Sequence, residues 1–212
     1  MPRPVRPSRP GRARAQSVAR QSPQLLLLRV DLKDVKPAVW RRVLVPDRVS
    51  LAELHEIIQI AMGWQNCHLH EFNVGGRRFG SRHTDTDPDP ELEEGANTAL
   101  AALSLELGSS FTYTYDFGDD WLHQLTVEGV VPSTGQILPL LCVGGAGACP
   151  PEDCGGAHGY ADLLAALKNP TTAHHRELID WIGGRFAPTV VDLGQINLLL
   201  VDRPGLGRGR SR

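Results

Sequence analysis

The sequence predicts a single α+β domain with a mixed or largely antiparallel sheet, helices packed against it, and a disordered basic tail at each end. Three observations predict it. Most strand-like segments precede most helical ones, the two ends are rich in Arg, Pro and Gly, and 212 residues suffice for one substantial core. The predicted boundaries are 1–22 and 203–212 for the tails and 23–202 for the domain.

The first predicted elements are a β-hairpin and a helix. Apolar segments at residues 24–33 and 35–45 are separated by a turn and closed by Pro46, which predicts two paired strands. Ser50 and Glu53 have the spacing of a capping box, and apolar residues then recur at helical spacing as far as Gly63. This pattern predicts a helix that begins at Ser50 and ends at Gly63.

The middle of the chain predicts two further hairpins. Residues 68–74 and 77–80 are strand-like on either side of a Gly-Gly turn, and the acidic residues 83–97 predict a loop. Aromatic side chains then alternate with polar ones, which predicts a strand with an aromatic inner face. Residues 121–131 are its predicted hairpin partner. The four inward aromatic residues are Phe111, Tyr113, Tyr115 and Phe117.

The last third of the chain is predicted to be loop and helix. Residues 141–156 are mainly Gly, Cys and Pro and predict an irregular loop. Helical spacing marks residues 160–167 and 172–181, which end at Asn169-Pro170 and Gly183-Gly184. A final apolar segment at 196–201 completes the predicted domain.

The charges are unevenly distributed along the chain. The stretch 21–202 holds 12 basic against 24 acidic residues, a net charge of −12, so it repels phosphate backbones. Nucleic acid is therefore a possible partner only through the Arg-rich tails, and these tails can equally be disordered and merely solubilising. No segment has the roughly 20 apolar residues of a membrane span, and no secretory signal is recognised. A cytoplasmic location without membrane association is the expectation.

The first candidate site is a pair of histidines. If residues 68–74 form a strand, His68 and His70 share one face and could chelate a metal ion together. The alternative is that one of them faces solvent while the other satisfies a buried hydrogen bond.

The second candidate site is acidic. Asp116, Asp119, Glu152 and Asp153 are the catalytic candidates, because paired carboxylates that hold divalent ions suit phosphoryl transfer. Aspartates beside a glycine are also the usual residues of a hairpin turn. His123 follows on an apolar face, where a histidine is more often a hydrogen-bonded core residue than a metal ligand.

The third candidate site is a cysteine loop. Cys142, Cys149 and Cys154 have the spacing C-x6-C-x4-C, which differs from the C-x2-C of common structural zinc sites. With one histidine they could still bind zinc. The alternative is a rigid loop that packs its thiols as small apolar groups.

The ordered motifs resemble the plasmid pRi Orf-three-like family, whose members occur in plasmids and insertion elements. The resemblance covers residues 24–201 and implies a compact α+β fold, but no established activity. Some relatives are labelled TnpR-type resolvases, and the acidic chain lacks the nucleophile-and-arginine clusters of recombinases. The matching motifs are Lys36-Pro37, Trp40-Arg41, Leu54-His55, Gly63-Trp64, His68-Leu69-His70-Glu71-Phe72, the run from Tyr113 to His123, the run from Cys149 to Gly156, and Gly159-Tyr160.

Three functional hypotheses follow. The first is an accessory domain whose histidine strand, acidic hairpin and cysteine loop meet in one polar site, with zinc as the first-choice ion. The second is a metal-dependent hydrolase or nuclease that uses the four acidic candidates. The third is a DNA- or protein-interaction role of the tails, with the domain as scaffold.

Overall fold

One eight-stranded sheet organises the molecule, as expected for an α+β fold. The computed structural model describes residues 23–80, 90–132 and 140–203. The strand order is β5-β4-β3-β6-β7-β1-β2-β8, and every neighbouring pair is antiparallel except β4 and β5. The predicted fold class is therefore confirmed. The elements are β1 Gln24–Leu32, β2 Val39–Pro46, α1 Leu51–Met62, β3 His70–Val74, β4 Arg77–Gly80, β5 Leu92–Glu94, β6 Ser110–Tyr115, β7 Trp121–Pro132, β8 Leu141–Ala146, α2 Gly156–Leu167, α3 Ala173–Trp181 and α4 Leu193–Asp202.

The first helix follows the sequence prediction closely. The Ser50 side chain accepts a hydrogen bond from the Glu53 N–H, and the Glu53 carboxylate accepts one from the Ser50 N–H. Gly63 ends α1 with a left-handed φ of 95°, a conformation that costs a glycine little. The buried side of α1 includes Leu51, Leu54 and Ile58 and belongs to the same core as the sheet.

The sheet has one buried face and one open face. In β1, Leu28 and Val30 differ in burial from Arg29 and Asp31 because successive side chains point to opposite faces. On the open face, the Trp40 ring lies between the guanidinium groups of Arg29 and Arg42, at 4.4 and 4.8 Å from the ring centroid. Within the described residues, α1, α2 and α4 contribute to the same core as the buried face of the sheet.

The predicted irregular loop 141–156 is corrected at its beginning. Residues 141–146 form the edge strand β8, which pairs with β2. Gly144 and Gly145 suggested a loop, but a Cβ on Gly145 would lie 2.9 Å from Arg41 Cδ and 3.0 Å from the Trp40 carbonyl oxygen. The glycine permits close approach between two strands and does not mark a turn.

Two further predictions are corrected. The acidic segment 83–97, where described, contains the short strand β5 and a 3₁₀ turn, while residues 81–89 lie outside the described part. Phe117 does not belong to the aromatic inner face, because its side chain is 56% exposed. The strand β6 ends at Tyr115 and Asp116 has a left-handed φ of 55°, which breaks the alternation before Phe117 is reached.

The last third of the domain contains three helices. The two predicted helices are present as α2 and α3, and the final apolar segment forms α4 beside β8. Arg203, the first residue of the predicted C-terminal tail, lies 3.3 Å from the Glu56 carboxylate. The predicted tails 1–22 and 204–212 lie outside the described residues. Among the helices that the structure describes, none has the length and apolarity to cross a membrane.

Candidate functional site

Three segments that are far apart in the chain meet beside the start of β3. The Asp116 N–H donates to the Leu69 carbonyl at 2.9 Å, which fixes the turn after β6 against the residues before β3. His68 Nε2 then lies 3.5 Å from Asp116 Oδ2 and 3.0 Å from Asp153 Oδ1. The ligand atoms of all three side chains lie within 4.8 Å of one another. We call His68, Asp116 and Asp153 the HDD cluster.

Asp116 is held rigidly by its own turn. Its side chain is 10% exposed, and Oδ1 accepts hydrogen bonds from the Gly118 N–H at 2.9 Å and the Asp119 N–H at 3.4 Å. These bonds leave Oδ2 on the side of His68. The turn aspartate therefore has both roles that the sequence suggested: one oxygen stabilises the hairpin and the other faces the cluster.

The His68 imidazole is close to two carboxylates without a hydrogen bond to either. Nε2 is buried and has no hydrogen-bond partner within the described residues. The distances from Nε2 to the two carboxylate oxygens are short enough for hydrogen bonds, so the unfavourable quantity is the hydrogen-bond angle. Nε2 therefore has two carboxylate oxygens nearby, from Asp116 and Asp153, but forms a hydrogen bond with neither.

Glu152 lies on the other side of His68. Its Oε1 accepts from the Gln65 N–H at 2.7 Å and from the Tyr115 hydroxyl at 3.0 Å, while its buried Oε2 has no partner among the residues described. Burial raises the pKa of Tyr115 above its usual value, so the hydroxyl keeps its proton and remains a donor. Cys67, His68 and Glu152 make a second group of close ligand atoms.

A buried polar network lies behind the cluster. His55 Nδ1 is 2.7 Å from the Tyr113 hydroxyl, and His55 Nε2 is 2.6 Å from Asn66 Oδ1. Gln59 donates to the same hydroxyl at 3.0 Å and its Oε1 accepts from the Asn66 N–H at 3.0 Å. The network ties α1 to β6 and to the segment that carries His68. His70 stacks on the His55 ring at a centroid distance of 3.5 Å.

The comparisons with known proteins identify the family. Residues 24–195 match the model of the plasmid pRiA4b ORF-3-like protein family. The chain belongs to this family. It is 38% identical over 176 residues to the uncharacterized protein y4hQ of Sinorhizobium fredii, which covers 82% of this chain and 90% of that protein. It is also similar to the crystal structure of MM3350, a protein of unknown function from Methanosarcina mazei Go1, with 30% identity, a TM-score of 0.72, and coverage of 82% and 97%.

The pRiA4b ORF-3-like chain brings some of the predicted site residues together and separates others. His70 is not in either group of close ligand atoms, because β3 begins only at His70 and His68 precedes the strand. Asp119 Oδ2 accepts from the Gly155 N–H at 3.2 Å, so this aspartate connects the hairpin turn to the cysteine loop. Asp116 and Asp153 join His68, whereas Glu152 belongs to the second group.

The predicted cysteine set is not assembled in the described part of this family member. Cys142 lies buried in β8, and its thiol contacts the Gly144 carbonyl oxygen at 3.5 Å. Cys149 and Cys154 pack against the core from the loop. Burial raises the pKa of all three thiols, to about 12 for Cys154, and no group of close ligand atoms in the described residues includes any of them.

His123 is a core residue of this family member. It is fully buried in β7, its Nδ1 lies 3.3 Å from the Tyr113 carbonyl oxygen, and burial lowers its pKa to about 4. Sequence reasoning did not select Cys67 or Tyr115 for the site. The only sequence feature that connects them is position, since Cys67 precedes His68 and Tyr115 precedes Asp116.

Proposed function

We propose that this protein binds one divalent transition-metal ion, with zinc as the first choice, through the HDD cluster. The observation that carries the proposal is the position of His68 Nε2, which lies 3.0 and 3.5 Å from two carboxylate oxygens with no hydrogen bond to either. A buried polar atom without a partner is costly, and a bound ion would satisfy it.

The spacing of the three side chains supports a shared ion. Two ligand atoms that each lie about 2.1 Å from a metal are about 3.0 Å apart at a right angle and about 3.4 Å apart at the tetrahedral angle. The distances from His68 Nε2 to Asp153 and Asp116 have these values.

The chemistry of the ligands favours zinc or a similar ion. Imidazole nitrogen with carboxylate oxygen suits zinc, and three protein ligands leave a coordination position for water or for another molecule. Glu152, in the second group around His68, has a further oxygen without a partner among the described residues. The domain would then be an accessory protein with an accessible metal ion, which agrees with the first hypothesis although its ligands differ from the cysteine set.

The hydrolase alternative has weaker support. It requires Asp116, Asp119, Glu152 and Asp153 around the ion, but Asp119 accepts a bond from the Gly155 N–H and Glu152 accepts two bonds through Oε1. The net charge of −12 over 21–202 also disfavours a nucleic-acid substrate. The tail hypothesis concerns residues outside the described part and remains a prediction.

The first testable prediction is metal binding. Protein purified without a His-tag and stripped with EDTA is expected to take up about one equivalent of zinc per chain in calorimetry, and His68→Ala is expected to lower the affinity by at least about 100-fold. Asp153→Asn should weaken binding as well, because it removes one carboxylate of the HDD cluster. The Asp153 side chain is 68% exposed, so the substitution leaves the core intact. Uptake below about 0.2 equivalents of any transition metal would refute the proposal.

Two control variants sharpen the result. His174 is exposed on α3 and distant in sequence from the cluster, so His174→Ala should bind zinc like the wild type. Cys67→Ser tests the second group of ligand atoms. A large loss in Cys67→Ser together with no loss in Asp153→Asn would move the ion to Cys67, His68 and Glu152 and would show that the HDD cluster is the wrong ligand set.

A further inference from the structure

A groove begins at the carboxylates of the cluster and ends at the residues that follow α3. Its volume is about 460 Å³, which is within the usual range of small-molecule sites. Glu152 and Asp153 line one part of it, and Trp181 and Arg185 line another. The side chains of Trp64 and Phe186 add apolar surface. Asp153 also belongs to the HDD cluster, so the groove borders the proposed metal site at this residue.

Arg185 is the basic residue of the groove and has no carboxylate of its own. Its side chain is exposed, and no ion pair or hydrogen bond joins it to another residue within 23–80, 90–132 or 140–203. Arg29 and Arg42, by contrast, are paired with Asp31 and Glu128. An unpaired guanidinium at a groove is suited to an anion, and its planar donors match phosphate well.

Trp181 supplies a planar apolar surface in the same groove. Its side chain is 50% exposed although it is one of the largest apolar residues, and Phe186 lies nearby in the lining. Aromatic rings of a ligand stack on such side chains. The groove therefore combines an aromatic surface, a free guanidinium and, at its acidic end, the proposed ion.

The overall charge restricts the size of the ligand. A domain with a net charge of −12 over 21–202 repels a polyphosphate chain over long distances, whereas one phosphate group requires only local compensation. Without an ion, Glu152 and Asp153 would themselves repel that phosphate. Binding of a phosphorylated ligand should therefore depend on the metal.

We propose that the groove binds a small phosphorylated ligand with a planar ring, of the mononucleotide class, with its phosphate between the cluster-bound ion and Arg185 and its ring on Trp181. This proposal rests on the proposed metal function. The geometry assigns Arg185 and Trp181 as binding residues that the sequence did not single out.

The test is calorimetry of the zinc-loaded full-length protein with adenosine monophosphate, adenosine and inorganic phosphate as probes. Adenosine monophosphate is expected to bind at least about tenfold more tightly than either fragment, and to lose this affinity when zinc is removed. Arg185→Gln should weaken both the mononucleotide and inorganic phosphate by about tenfold or more. Trp181→Leu should weaken the mononucleotide by about tenfold and leave inorganic phosphate unchanged.

The matched control is Arg176→Gln, an exposed arginine on α3 outside the groove lining, which should behave like the wild type. A parallel zinc titration on every sample separates the two proposals. Absence of zinc binding overturns both. Normal zinc binding with no preference for the mononucleotide, or equal behaviour of Arg185→Gln and Arg176→Gln, overturns the groove proposal alone. Tighter binding of a short single-stranded oligonucleotide than of the mononucleotide would also overturn it in favour of nucleic acid.

Discussion

Acidification from pH 6.5 towards pH 4 is expected to lower the stability of the domain substantially. Two buried histidines, His55 and His123, have pKa values lowered by burial from 6.5 to about 4. Both are neutral in the folded protein over this range and become protonated on unfolding. Their contribution to stability is therefore complete above pH 6.5 and is lost as the pH falls to about 4.

The hydrogen bonds explain why His55 stays neutral. Gln59 donates to the Tyr113 hydroxyl, which in turn donates to His55 Nδ1, while His55 Nε2–H donates to Asn66 Oδ1. A second proton on Nδ1 would face the hydroxyl hydrogen and would break this chain of donors. The network thus adds a geometric reason to the desolvation that lowers the pKa.

His123 has a different reason for the same behaviour. Its Nδ1 faces the Tyr113 carbonyl oxygen, which requires the proton on that nitrogen, and its buried Nε2 has no partner in the described part of the chain. Protonated Nε2 would be a buried charged donor without an acceptor among the described residues.

The expected magnitude is large. Each histidine takes up one proton on unfolding, so each contributes a slope of about 1.4 kcal/mol per pH unit and a total on the order of 3 kcal/mol. Together the two amount to about 6 kcal/mol, which is comparable with the lower end of the free energy of unfolding of a typical domain, about 5–15 kcal/mol.

Urea unfolding at a series of pH values measures this effect. His123→Leu is expected to reduce the slope of the free energy of unfolding by about 1.4 kcal/mol per pH unit between about pH 4.5 and 6. His174→Gln, which changes an exposed histidine on α3, is the control and should leave the slope unchanged. If His123→Leu has the wild-type slope, His123 is not neutral in the folded protein.

The second large effect is expected from Gly159→Ala in the first turns of α2. A Cβ at this position would lie 1.7 Å from the Cys154 carbonyl oxygen, well inside van der Waals contact and against backbone. Since neither the helix nor the Cys154–Gly155 loop can yield by a rotamer change, we expect the free energy of unfolding to fall by about 3 kcal/mol or more. The same displacement should move Asp153 and weaken zinc binding.

A matched substitution distinguishes this clash from the general effect of a methyl group. Gly144 in β8 has no left-handed φ, and an added Cβ would meet its nearest atom, Trp40 Cζ3, at 3.6 Å. Gly144→Ala should therefore change stability by less than about 1 kcal/mol. Equal stability of the two variants in urea unfolding would contradict the tight packing of α2 on the loop.

Much of the fold was predictable because local patterns agreed with the tertiary structure. The capping box at Ser50 and the strict alternation in β6 and β7 each specify one element without help from the rest of the chain. The strand β8 was missed because one of its glycines, Gly145, has a tertiary reason, the close approach of Arg41 and the Trp40 carbonyl oxygen. Sequence composition alone does not distinguish such glycines from turn glycines.

The sequence predicts that the histidine strand, the acidic hairpin and the cysteine loop meet, but it does not predict which residue of each segment joins the others. His68, Asp116 and Asp153 are all candidates, and the sequence pairs His68 with His70 and the aspartates with Asp119 and Glu152. Their actual grouping depends on a strand that begins at His70 and on the left-handed φ of 55° at both Asp116 and Asp153. Arg185 and Trp181 lie in a segment without any motif, so only the groove reveals them.

The position of β1 in the middle of the sheet has a consequence for co-translational folding. Strand β1 forms a hairpin with β2 early in synthesis, but its other edge pairs with residues 121–132, which leave the ribosome much later. Until then a leucine-rich strand exposes an unpaired edge, and such edges promote aggregation. Slow translation or low temperature during expression should therefore favour chaperone binding to the nascent chain. The yield of native protein will depend on the time between the synthesis of β1 and the synthesis of β7.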